Sequence, residues 1–289
     1  MKWNWNKWEE QPLERRNTLQ LFITSKCQCS CEGCFAEDWM NQCKKPYISK
    51  EQVRNILDDF EEKGGKQVNI LGGEPLLHPE IGPILYYIKG RKFKVTLYTN
   101  GIGIDKFPSG TFDGIKIRQS IYTLKGEDKP VTSLSKNHEV EANFMVTRQT
   151  KLNEILLSAY HAEGEGCTVF FIYSFRDLNG KENPPQEFFC DDARQCMPVI
   201  HYKQLVHDFL EHYNGWMDIH ISKRGVFEST KTLPDTKCRF VNVFSDNKII
   251  QCPYDVTNEK YQNDYEFGTR NCQHNNTCLM SKIILKRKQ

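Results

Sequence analysis

Apolar residues along the chain recur in two periods that trade places. Residues 18–24 (TLQLFIT) predict a strand, and residues 49–64 carry the helical period, with Val53, Ile56, Leu57 and Phe60 on one face. Ser49 and Gln52 have the spacing of a capping box, while Gly64 and Gly65 end that helix. Residues 66–71 (KQVNIL) predict the next strand. Pro79 fits the first turn of a second helix that carries Ile81, Ile84, Leu85 and Ile88 and closes at Gly90. Strands are predicted again at 93–99, 114–121, 139–146 and 168–175, with helices over 151–161 and 198–213. Alternation of this kind predicts a parallel α/β sheet with crossover helices, open or closed into a barrel. Such sheets place their chemistry at the carboxyl ends of the strands.

The chain of 289 residues has room for one large domain and a small appendage, and 38% apolar residues suffice for a core. It has no apolar run of about 18 residues that would span a membrane, and MKWNWNKWEE lacks the features of a signal peptide. A cytoplasmic location is expected. The net charge of +2 does not argue for a nucleic-acid partner, and Lys286, Arg287 and Lys288 read as a solvated basic end. Twelve cysteines change this picture. A cytosolic chain keeps its thiols reduced, and these cluster towards the two ends of the sequence, which points to metal ligation.

The segment from Thr24 to Phe35 holds Cys27, Cys31 and Cys34 in a C-x₃-C-x₂-C loop directly after the first predicted strand. Three thiolates can hold three irons of a cubane and leave the fourth open. Zinc is the alternative, because it takes four such ligands. Leu71-Gly72-Gly73-Glu74-Pro75 follows the second predicted strand, and Tyr98-Thr99-Asn100-Gly101 straddles the end of the third. Together with the cysteine loop these motifs resemble the radical S-adenosylmethionine (SAM) superfamily, over about residues 18–180.

The resemblance implies a partial (β/α)6 TIM-like barrel in which a [4Fe–4S] cluster on Cys27, Cys31 and Cys34 binds SAM through its open iron. Reductive cleavage would yield a 5′-deoxyadenosyl radical that abstracts a substrate hydrogen, with a flavodoxin- or ferredoxin-type protein as electron donor. Gly72 and Gly73 would let backbone approach the methionine moiety, and Glu74 would accept from the SAM ammonium. Thr99 and Asn100 fall where the family contacts the adenosine. Ser120 and Asn143, on the fourth and fifth strands, are candidate ribose or carboxylate contacts, and Arg176 is a candidate for the same cavity. Many members carry an aromatic residue before the third cysteine; here that position is Gly33, with Phe35 following. Cys29 offers a rival ligand and is read as a bystander.

Cys238, Cys252, Cys272 and Cys278 resemble the SPASM or Twitch extensions that hold auxiliary Fe–S clusters. Asn247, in Ser-Asp-Asn-Lys, replaces the turn glycine of their hairpin and suits a left-handed turn. Four cysteines imply one auxiliary [4Fe–4S] cluster in a small C-terminal Cys-rich extension, against a zinc ribbon as the alternative. Cys190 and Cys196 could replace two of these ligands or serve a further cluster, but are read as bystanders or as lining the active site, while Cys43 and Cys167 read as plain thiols.

The expected layout is an N-terminal extension over 1–17, the barrel over 18–222 and the auxiliary domain over 223–289. The 17 residues before the first predicted strand are too few for a leader-recognition domain, and Trp3, Trp5 and Trp8 form either a contact surface or a stripe packed on the barrel. Enzymes with such extensions often modify peptides or proteins, so a peptide side chain is the expected substrate. The alternatives are a dehydrogenase or cyclase of a sugar, aminocyclitol or nucleotide precursor, and a zinc-stabilised binding protein without redox chemistry.

Overall fold

The computed structural model describes residues 7–11, 16–31, 34, 36–121, 134–146, 150–174, 199–222, 238–251, 263–268 and 282–288. They form an 11-stranded sheet. In chain order its strands are β1 (Trp8–Gln11), β2 (Thr18–Phe22), β3 (Gln67–Leu71), β4 (Lys94–Thr99), β5 (Lys116–Ser120) and β6 (Val140–Val146). They continue with β7 (Val169–Ser174), β8 (Asp218–Ser222), β9 (Phe240–Phe244), β10 (Ile249–Ile250) and β11 (Lys282–Arg287). The helices are α1 (Glu37–Gln42), α2 (Lys50–Glu62), α3 (Ile81–Lys89), α4 (Leu152–Gly164) and α5 (Val199–His212).

Strand order is β1-β11-β8-β7-β6-β5-β4-β3-β2-β9-β10. From β2 to β8 each strand lies beside its predecessor, and all are parallel. An order that never reverses, joined by right-handed crossovers, puts every crossover helix on one face and rolls the sheet towards a barrel. The residues bear this out. Leu19, Leu21, Val68, Ile70, Val95 and Leu97 share one apolar core with Val53, Leu57, Phe60, Ile84 and Ile155 of the helices. Alternation then sends Gln20, Asn69, Thr96, Arg118, Glu141 and Asn143 to the inner face, where all are buried. The fold is therefore the partial TIM-like barrel that the sequence predicts.

The expected elements are present with shifted ends. The α2 capping box forms as expected between Ser49 and Gln52. Helix α3 begins at Ile81, two residues past Pro79, because His78 Nδ1 accepts the Glu80 N–H and the His78 carbonyl accepts the Ile81 N–H. Helix α4 runs on to Gly164 and stops where Gly166 takes a φ of +87°. Asn247 does occupy the left-handed turn, with φ of +65°, between antiparallel β9 and β10.

Three expectations change. The chain's first strand is β1, which pairs antiparallel with β11. The basic end is not simply solvated: Lys286 and Arg287 lie in β11, Lys286 pairs with Asp218 at 3.3 Å, and Arg287 donates to the Gly215 carbonyl at 3.0 Å. Strand β8 was also unforeseen, and it receives β11. Of the tryptophan stripe, Trp8 packs on the barrel, donating through Nε1 to the Leu210 carbonyl and stacking on Tyr213; Trp3 and Trp5 lie outside the described residues.

Candidate active site at the carboxyl ends of the strands

The loops that follow β2, β3 and β4 meet at one end of the sheet. Backbone hydrogen bonds join the first two: Gly73 N–H donates to the Thr24 carbonyl and Glu74 N–H to the Lys26 carbonyl, each at 2.8 Å. This closeness explains the glycine pair. A Cβ on Gly72 would lie 2.5 Å from the Thr24 carbonyl oxygen; one on Gly73 would lie 2.5 Å from that of Lys26 and 2.9 Å from Cys27 Cβ. The glycines are required by a contact between two backbones, where the sequence had suggested room for a ligand.

Glu74 binds the third loop. Its Oε1 accepts from Thr99 Oγ1 at 2.7 Å and from Leu76 N–H at 3.0 Å, and its Oε2 accepts from Asn100 N–H at 2.7 Å. Burial pushes this carboxyl up to about 6, against the opposing pull of those hydrogen bonds. Thr99 Oγ1 also accepts from Gly101 N–H. Both uses of the Thr99 hydroxyl are thus internal to the fold, and Glu74 first serves to anchor the Thr-Asn-Gly turn. Asn100 reaches back to the cysteine loop: Oδ1 accepts from Gln28 Nε2 and Nδ2 donates to Cys29 Sγ, each at 3.3 Å.

Cys27, Cys31 and Cys34 are all half-buried on that loop. The Cys29 N–H donates to Cys27 Sγ at 3.3 Å, so Cys29 assists Cys27 through its backbone. Burial pushes the Cys27 thiol up to about 12, with Cys29, Glu74 and Cys34 adding to the rise. A bound iron would reverse that, because ligation deprotonates a thiol outright. On the inner face, Ser120 at the carboxyl end of β5 is the register partner of Asn143 in the middle of β6, and Asn143 Oδ1 is buried without a partner. That buried acceptor fits a ligand with donor groups such as SAM.

A match to the Radical SAM superfamily covers residues 21–115, which span all three of these loops. Residues 21–115 thus carry a radical SAM domain. Among curated relatives, the chain is 28% identical over 174 residues to a GTP 3′,8-cyclase of Mesorhizobium japonicum, 57% of this chain and 48% of that one. It is 34% identical over 98 residues to the GTP 3′,8-cyclase of Psychromonas ingrahamii, 33% of this chain and 29% of that one. The chain spans less than half the length of these relatives. Among solved structures it resembles Streptococcus suis SuiB bound to precursor peptide SuiA, with a TM-score of 0.62, 16% identity, and coverage of 89% of this chain and 63% of SuiB. At that identity the likeness is one of fold.

Several buried polar residues of the radical SAM fold carry no motif. His78 is buried, and with Nδ1 accepting from Glu80 its Nε2 donates to the Ile48 carbonyl at 2.9 Å, clamping the Gly-Gly-Glu loop to the return of the cysteine loop. Burial lowers its pKa, which favours the neutral ring. Arg118 and Glu141 form a buried ion pair at 2.8 Å. Burial works against the charge on Arg118, but Tyr98, Tyr173 and Glu141 outweigh it and raise its pKa. The visible signal for that pair was a charged residue at an inner-face position of each strand.

Cys238 lies at the other end of the sheet. It precedes β9, whose Phe240 is level with Thr18 at the start of β2, and its carbonyl accepts from Gly268 N–H. Cys252, Cys272, Cys278, Cys190, Cys196, Arg176, Gly33 and Phe35 lie outside the described residues. Cys167 is a buried core thiol, pushed up to about 11 by burial, and Cys43 donates to the Lys45 carbonyl.

Proposed function

We propose that this chain cleaves SAM reductively at a [4Fe–4S] cluster on Cys27, Cys31 and Cys34 and uses the resulting radical to take a hydrogen atom from its substrate. The observation that carries the reading is the junction of three loops: partly exposed thiols at the carboxyl end of β2, tied by backbone hydrogen bonds to the Gly-Gly-Glu turn. When bound, the cluster and SAM supply one-electron cleavage to methionine and a 5′-deoxyadenosyl radical. The protein's part is positional. Gly72 and Gly73 keep the two loops in contact, Glu74 and Asn100 fix the third against them, and Oε2 of Glu74 keeps a lone pair for the SAM ammonium. Asn143 Oδ1 and Ser120 are the contacts proposed for the rest of SAM. An electron donor of flavodoxin or ferredoxin type and a cytoplasmic location complete the reading; no helix among the described residues is long and apolar enough to cross a membrane.

An auxiliary [4Fe–4S] cluster on Cys238, Cys252, Cys272 and Cys278 is proposed for residues 223–289, beside a barrel over 18–222 and an extension over 1–17. β9 and β2 run level over four residue steps, or roughly 13 Å at ~3.3 Å each. A centre at Cys238 would lie at least about that far from the Cys27 loop, with the inner face of the sheet between the two. Of the two substrate classes, a peptide side chain is supported by the shared fold with SuiB, which binds a precursor peptide, and a nucleotide-like small molecule by relatives named GTP 3′,8-cyclase.

Anaerobically purified protein should be brown with about seven to eight irons per chain. It should release 5′-deoxyadenosine on reduction, and changing Cys27, Cys31 and Cys34 to Ala should abolish that release. Replacing Cys238 and Cys252 by Ala should remove about one cluster and leave some SAM cleavage. Colourless protein with stoichiometric zinc would leave the binding-protein alternative standing.

A further inference from the structure

Arg118 is 6% exposed on the inner face of β5 and is held by several neighbours, the Tyr173 phenol among them. One terminal nitrogen donates to Glu141 Oε2 at 2.8 Å, the other to Tyr98 OH at 2.6 Å, and the guanidinium lies 3.5 Å from the Phe171 ring centroid. Its Nε is buried and has no partner. Native folds rarely keep a buried N–H unmet without a use, and a guanidinium fixed this firmly is organised in advance to receive an oxygen. A second orphan, Asn143 Oδ1, sits on the neighbouring strand and the same face, two residues nearer the carboxyl end. The two atoms mark successive layers. Asn143 is level with the proposed SAM contacts, and Arg118 lies one layer deeper, on the side away from the cysteine loop.

Among the described residues, the wall around Arg118 carries the cations Lys116 and Arg118 beside the carboxylate of Glu141. Lys116 is 70% exposed and stands at the rim. Given SAM cleavage at the cysteine loop, on which this step rests, we propose that Arg118 Nε–H donates to an anionic oxygen of the substrate, a phosphate or a carboxylate. Lys116 adds long-range attraction, and Glu141 and Tyr98 keep the guanidinium oriented. The donor and the acceptor one layer apart then separate substrate from SAM.

The test is equilibrium binding to the reconstituted full-length chain with SAM present, using GTP as the phosphate probe and N-acetylglutamate as the carboxylate probe. One of them should bind. Arg118→Lys keeps the charge but has no Nε–H, and should weaken that binding by about tenfold or more while iron content and SAM affinity stay as in the parent. Lys116→Gln, at an exposed position that will not upset folding, should weaken it by about two- to fivefold at low salt and by less at high salt. If Arg118→Lys does not fold, Lys116→Gln decides. Binding of neither probe, or equal binding by parent and folded variants, overturns the proposal. Absence of iron and of SAM binding would instead sink the radical reading, and the two probes would still report on Arg118 in the apo-protein.

Discussion

Gly73→Ala tests the contact on which the site is built. The added Cβ would stand 2.5 Å from the Lys26 carbonyl oxygen, 2.7 Å from its carbon and 2.9 Å from Cys27 Cβ. The Lys26 atoms are backbone and Cys27 Cβ is fixed to it, so none can rotate away and the loop over Lys26 and Cys27 must move by most of an ångström. Overpacking of this kind costs about 1–3 kcal/mol. The hydrogen bonds from Gly73 to Thr24 and from Glu74 to Lys26 would lengthen, each worth about 0.5–1.5 kcal/mol. A total loss of roughly 2–4 kcal/mol follows, or on the order of 3–7 °C in the unfolding midpoint for a chain this long. Thermal unfolding of the apo-protein by circular dichroism measures it, and iron per chain after reconstitution reports the displacement of Cys27. Gly164→Ala is the matched control: no atom lies within 4 Å of its added Cβ at the end of α4, so it should be neutral or stabilising by up to about 1 kcal/mol. A Gly73→Ala protein with parental midpoint and parental iron would refute the close approach of the two loops.

Glu74 sets a pH dependence in the apo-protein. Its folded pKa of about 6 exceeds the ordinary 4.5, so its stabilising contribution is complete below pH 4.5 and is lost as pH rises through 6; Glu74→Gln should flatten the urea midpoint across that window. His78 works in the opposite sense, because its lowered pKa stabilises the fold above pH 6.5 and that support is lost as pH falls through the folded value; His78→Phe should remove this slope. Asn247→Ala should cost about 1–2 kcal/mol in denaturant unfolding, since it forces φ of +65° on alanine and removes the acceptor for Gln52 Nε2 at 2.6 Å.

Local pattern revealed the elements whose signals are local. Capping residues, a 3.6-residue period and closing glycines mark α2 and α3 in any context, and the six strands between 18 and 175 stand out because each puts apolar residues on the helix-facing side. Strands β1, β8 and β11 were missed for a common reason. WEEQ, DIHIS and KIILKR are short or charged, and they become strands through partners far along the chain: Trp8 pairs with Arg287, and Ile284 with His220. β-structure of this kind is decided by its neighbours more than by its own residues. The inner face leaves only a faint trace in the sequence. Gln20, Asn69, Thr96, Arg118 and Glu141 each interrupt an apolar strand at alternate positions, and only the register shows that they line one surface.

The three loops of the site are held by the same groups that a bound cofactor would meet, and this governs how their variants behave. Glu74 gives three of its acceptor positions to Leu76, Thr99 and Asn100. Thr99 spends its hydroxyl on Glu74 and Gly101, and the glycine pair meets backbone. Loss of SAM cleavage after changing any of these is therefore what loop displacement alone would produce. Asn143 differs. Its Oδ1 has no partner in the protein, so Asn143→Leu, similar in size and uncharged, leaves the loops untouched and removes the buried acceptor. A SAM affinity that falls in Asn143→Leu while the apo-protein keeps its unfolding midpoint would mark a true ligand contact. A parallel fall in both would return Asn143 to the fold.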